Sequence, residues 1–122
     1  MMLGLLIYMV ILAFMSLNPW LRPDSGPAIG NIEWDKLEHA TAYCTMFLLF
    51  MLIYKSHSRP GVVSFRVLLA CSLVGILLEY CQLWLTSNRM FSYGDAGANV
   101  FGALLGMALF WCYWFVTLKR AK

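Results

Sequence analysis

The chain alternates between long runs without a charged side chain and short polar segments, and the runs set the predicted elements. Residues 1–21 carry no Lys, Arg, Asp or Glu before Arg22. At 1.5 Å per residue about 20 residues cross a hydrocarbon core of roughly 30 Å, so this run predicts a first transmembrane helix, placed over about residues 2–20. The run 40–54 is short for a span unless its helix begins upstream near Trp34 and Asp35, which predicts a second helix over about 35–54. A third is expected over about 65–85, with Glu79 and Gln82 inside it, and a fourth over about 95–118, starting near Gly94 or Asp95. The expected fold class is all-α, an integral membrane four-helix bundle forming a single domain over residues 1–122. Four spans leave almost nothing over for a soluble domain. No repeat at a fixed period interrupts the pattern.

The first run lacks a basic n-region and a small-x-small cleavage site, and it leads into Asn18-Pro19-Trp20. It is therefore read as an uncleaved anchor and not as a secretory signal. A composition of 61% hydrophobic and 12% charged residues, with mean hydropathy +0.72, excludes a soluble enzyme, a disordered tail and a secreted disulfide scaffold. Cys44, Cys71, Cys81 and Cys112 are scattered over the apolar spans and read as small buried hydrophobes. Trp20, Trp34 and Trp84 at one interface and Trp111, Tyr113 and Trp114 at the other read as aromatic belts.

Charge in the flanks predicts orientation, because the cytoplasmic side keeps the excess of Lys and Arg. Lys55, Arg59 and Arg66 lie between the second and third helices, and Lys119, Arg120 and Lys122 follow the fourth. Both segments are expected inside, with N and C termini cytoplasmic and the protein multi-pass in the cell inner (cytoplasmic) membrane. Topology accounts for the net charge of +3, so nucleic acid is not an expected partner.

The polar residues of the spans converge on the opposite, outer leaflet. Asp35, Lys36 and His39 open the second helix, Glu79 and Gln82 lie in the outer half of the third, and Arg89, Asp95 and Asn99 surround the start of the fourth. Spacing then assigns faces. Asp35, His39 and Tyr43 follow i, i+4, i+8, while Asp95, Asn99, Gly102 and Gly106 follow i, i+4, i+7, i+11. Gly102 and Gly106 form a GxxxG that suits close helix packing. An ionised group at the bilayer centre costs about 2.5–3.5 kcal/mol on insertion scales and normally faces a bundle interior or a wet cavity. Glu79 is accounted for either by an ion pair with Arg89 or a hydrogen bond to His39, or by a polar pocket in which it exchanges protons.

Three segments together, WDKLEHATAY at 34–43, LLEYCQ at 77–82 and NRMFSYGDAGANVFGALLG at 88–106, resemble the D-K-x-x-H, E-x-x-Q and R-x(5)-D-x-x-x-N-x-x-G signatures of the VanZ-like family. The first helix fits by position alone. The resemblance implies a small four-span membrane protein of a family named after a member associated with glycopeptide (teicoplanin) resistance. Its wider relatives include enzymes acting on lipid head groups and lipid-linked precursors at a phosphoester. It also implies Asp35, His39, Glu79, Gln82, Arg89, Asp95 and Asn99 as pocket residues.

On a phosphoester head group of a phospholipid or polyprenyl-linked envelope precursor, His39, Glu79, Asp35 and Asp95 form the expected catalytic set. His39 is a base with Asp35 orienting its ring, and Glu79 is base or acid. Lys36, Gln82, Arg89 and Asn99 form the expected substrate-binding set, with Arg89 and Lys36 clamping the anion. Structural roles compete with these: N-terminal capping by Asp35 and Asp95, interfacial anchoring by Lys36, and packing by His39. Asp35, Glu79 and Asp95 can offer oxygen ligands to Mg²⁺, but nothing fixes their number and there is no HExxH or CxxC. No metal and no cofactor are assigned. The competing function class is a non-catalytic binder of an envelope lipid, an amphiphilic drug or a partner helix. A four-span drug exporter needs an ionisable residue in the first helix, which has none. The oligomeric state stays open.

Overall fold

The structure, a computed structural model, describes residues 2–17, 28–29, 32–54, 59–85 and 91–118. Helix α1 spans Met2–Leu17. Two-residue strands β1 (Ala28–Ile29) and β2 (Ile32–Glu33) pair antiparallel, Ala28 opposite Glu33 and Ile29 opposite Ile32. β2 runs directly into α2, Trp34–Tyr54. Helix α3 spans Pro60–Leu85, and α4 spans Tyr93–Tyr113 before widening into a π-helical turn over Trp114–Leu118.

The all-α bundle of four helices is as expected, with one correction to its elements. Helix α3 starts at Pro60, ahead of the expected Phe65, because proline is pre-organised for a first helical turn; the Val63 N–H donates to the Arg59 carbonyl at 3.2 Å. Arg66 thus lies within the helix, exposed, where its long side chain can reach the interface. Helix α1 is described over 16 residues, about 24 Å by helical rise, and residues 18–20 of the expected first span lie outside the described residues. Among the described residues, three helices, α2, α3 and α4 with its extension, are long and apolar enough to cross a membrane; α1, expected as a fourth span, is apolar over its described residues.

Helices α2 and α4 make the tightest pair and run parallel, since α3 returns the chain between them. Their approach is set by the GxxxG. A Cβ at Gly102 would overlap the Ala40 carbonyl, and one at Gly106 would stand 2.9 Å from both the Cys44 carbonyl oxygen and the Phe47 Cβ. The core behind this seam joins Tyr43, Met46, Phe47 and Met51 of α2 to Cys71 of α3 and Phe110 of α4. Helix α1 is held by two bonds to main-chain carbonyls, Tyr8 Oη to Ala42 and Gln82 Nε2 to Ser16, both at 2.7 Å.

The exterior has the reverse polarity of a water-soluble protein. Phe65, Leu69, Leu73 and Leu77 form one exposed stripe at i, i+4, i+8, i+12 of α3, while His39, Ser64, Glu79, Gln82 and Asn99 are buried. Such a surface is stable only against hydrocarbon, which marks the chain as an integral membrane protein. Of the four thiols expected to be buried, only Cys71 is; Cys44 is half-buried, and Cys81 and Cys112 are exposed on this apolar exterior, where a weakly polar thiol costs little.

Candidate functional site

Because α2 and α4 are parallel and both begin at the same end, equal steps along each keep their stripes in register. Asp35 meets Asp95 at the rim, His39 meets Asn99 one turn deeper, and Ala40 meets Gly102 below. Helix α3 runs the other way and brings Gly75 and then Glu79 up the third side. The six residues from Glu79 to the end of α3 correspond to about 9 Å of rise.

The imidazole of His39, only 4% exposed, is the hub. Its Nδ1 lies 2.8 Å from Asn99 Oδ1 and 3.9 Å from Glu79 Oε1, while Nε2 faces outward to Asp35 Oδ1 at 3.7 Å. One donor atom each from Asp35, His39 and Asp95 lie within 4.8 Å of one another. Nδ1 is thus turned to the Asn99 side-chain amide and Nε2 to the carboxylates at the rim. Asp35 and Asp95 are half-buried, whereas Glu79 is 2% exposed. The site therefore has an open acidic rim and a closed floor.

Comparisons with protein-family models, curated proteins and solved structures find no match.

Sequence spacing locates the hub but not all of its neighbours. Lys36 runs along α4 so closely that a Cβ at Gly94 would stand 2.8 Å from its Cε and 3.6 Å from its Nζ, which puts the ammonium beside the rim. Gln82 turns to the end of α1 and donates to Ser16. Asn99 is directed at His39. The N-cap of α4 is Ser92, whose hydroxyl accepts from the Asp95 N–H at 3.2 Å, so Asp95 is not itself the cap. Arg89 lies outside the described residues, as do Lys55, His57, Lys119, Arg120 and Lys122.

Two contributors are absent from the expected pocket. Gly75 makes room for the floor: a Cβ there would lie 2.8 Å from Asn99 Cβ and 3.1 Å from both Asn99 Nδ2 and Tyr43 Cε1. Its signal is present in the spacing, since it is four residues from Glu79 on one face of α3. Tyr43, on the predicted stripe, is 1% exposed; its hydroxyl and Asn99 Nδ2 have no hydrogen-bond partner among the described residues. Buried polar atoms normally find one.

Proposed function

We propose that this protein acts on the phosphoester head group of a phospholipid or polyprenyl-linked envelope precursor at the outer face of the inner membrane. The observation that carries this reading is the His39 hub, where three spans bring acids to one buried imidazole under a rim open at one end of the bundle. Lipid-exposed spans rarely keep such groups without a function. Lys36 beside the rim supplies positive charge for a phosphoester oxygen, and Arg89 is assigned the same task from its position ahead of α4 in the sequence.

Two further features favour a lipid over a soluble phosphoester. A groove of about 520 Å³ between α1 and α2, lined by Leu12, Met15, Trp34, Leu37 and Thr41 among others, lies on the neighbouring face of α2 and suits an acyl or prenyl chain. The motif segments resembling the VanZ-like family hold the hub residues Asp35, His39, Glu79, Asp95 and Asn99, and that resemblance is the basis for a link to glycopeptide resistance. His39 presents Nε2 to the head group, Asn99 fixes the ring, and Glu79 behind it exchanges protons with the buried network.

The test is lipid mass spectrometry on cells expressing wild type or Glu79→Gln. A changed head-group or precursor pool is expected with wild type and not with the variant, whose loss of acid–base function is worth about 10²–10⁴-fold in rate. Unchanged pools under wild type overturn turnover, and saturable lipid binding without product then assigns the protein to the binder class.

Orientation has its own test. Arg59 and Arg66, both exposed, stand toward the start of α3, at the end of the bundle away from the rim, which by the positive-inside rule directs the rim outward. Single cysteines in a cysteine-free background are expected to react with an impermeant thiol reagent from outside at Gly30 and not at Ser58. The reverse pattern moves the rim to the cytoplasmic leaflet.

A further inference from the structure

We infer that Asp35, His39 and Asp95 bind a divalent cation at the rim of the bundle. The inference deepens the reading above by naming what the rim holds, and it rests on that reading only for what the ion is used for. Two carboxylates and an imidazole form an O₂N donor set of the kind that suits Mn²⁺ or Zn²⁺. Donors on a cation with bonds of about 2.1 Å stand roughly 3–4 Å apart. The observed 3.7 Å from His39 Nε2 to Asp35 Oδ1, and the 4.8 Å limit on the set, place the donors within a small contraction of that spacing.

The second observation is independent of the carboxylates. Asn99, 1% exposed, presents Oδ1 to His39 Nδ1 at 2.8 Å, which fixes the ring with Nε2 toward the rim. Metal-binding histidines are oriented in this way, by a hydrogen bond from the other ring nitrogen to a carbonyl or carboxylate. Backing the ring with an amide, at the cost of accommodating Asn99 against Gly75, is more than the packing of a solvated acidic rim requires. Both carboxylates are half-buried and so reachable from the outer side, where Lys36 lies against Gly94. The competing arrangement is a doubly protonated His39 ion-paired to the acids, with no affinity for a metal.

Titration of the purified full chain in detergent with Mn²⁺ alone, followed by electron paramagnetic resonance, separates the two. The expected result is saturable uptake of one Mn²⁺ per chain, with ¹⁴N coupling from an imidazole in the pulsed spectrum. Asp95→Asn and Asp35→Asn are each expected to weaken uptake by about tenfold or more, since even outer-shell changes cost about 10–100-fold in affinity. Glu38→Gln, at an exposed acid bonded to Trp34 on another face, is expected to leave it unchanged. Absence of saturable uptake by wild type, uptake without nitrogen coupling, or equal loss in Glu38→Gln and Asp95→Asn overturns the site. Should the aspartate variants fail to fold, the wild-type nitrogen coupling decides. Mn²⁺ binding with unchanged lipid pools leaves the cation site standing and removes the lipid reaction; lipid turnover without saturable Mn²⁺ uptake does the opposite.

Discussion

Gly102→Ala is expected to destabilise the bundle and open its functional end, although it adds a single methyl group. The new carbon would overlap the Ala40 carbonyl and stand 2.8 Å from Ala40 Cα. A backbone obstacle cannot rotate aside as a side chain can, so α2 and α4 must part. Overpacking of this kind costs about 1–3 kcal/mol and occasionally more. Relief of glycine's poor helix propensity returns only about 1 kcal/mol. Gly97→Ala is the control, because a Cβ there meets nothing within 4 Å; it should match or exceed wild type in thermal midpoint in detergent. Gly102→Ala should fall below both, and its parted helices should carry Asp35 away from Asp95 and His39 away from Asn99. Equal midpoints for all three proteins would show that the close approach is not needed.

Asn99→Leu is expected to be costly for a different reason, and a double variant isolates it. Leucine keeps the branching and the number of side-chain heavy atoms but leaves the buried His39 Nδ1 without the Asn99 Oδ1 partner at 2.8 Å. An orphaned buried donor costs about 1–3 kcal/mol. Replacing both partners by apolar groups of similar shape can be nearly neutral by the same logic, so His39→Leu combined with Asn99→Leu should recover much of the stability lost in Asn99→Leu. The coupling is read from the thermal midpoints of the two single variants and the double. Strict additivity would mean that the His39–Asn99 contact carries no energy. The double variant should nevertheless bind no Mn²⁺ and leave lipid pools unchanged, which separates what the pair contributes to folding from what it contributes to chemistry.

Much of this arrangement is legible in the amino-acid sequence, because a helix repeat converts spacing into faces. The Asp35–His39–Tyr43 and Asp95–Asn99–Gly102–Gly106 stripes meet each other along the seam between α2 and α4. Spacing does not encode which way a neighbouring helix is turned. Gln82 sits beside Glu79 on α3 yet points to Ser16 of α1, a partner in a run with no polar pattern to announce it. Helix α3 is longer than its apolar run suggests because Arg66 resembles a boundary, whereas a long cationic side chain on an exposed helical face can lie inside one. Spacing alone assigns no metal, because Asp35 and His39, one turn apart, are equally explained as an orienting pair. Asp95 joins them only through the parallel packing of two helices distant in sequence.

That parallel pairing has a consequence for biogenesis. Since α4 supplies Asn99 and the glycine seam, a nascent chain in which α2 and α3 have already inserted holds His39 beside Glu79 but without Asn99. These two side chains complete their contacts only when α4 packs against α2 and α3. Assembly of the polar interior is therefore a late, all-at-once event, and truncation within α4 should leave a species fit for quality-control proteolysis and not a partly active one.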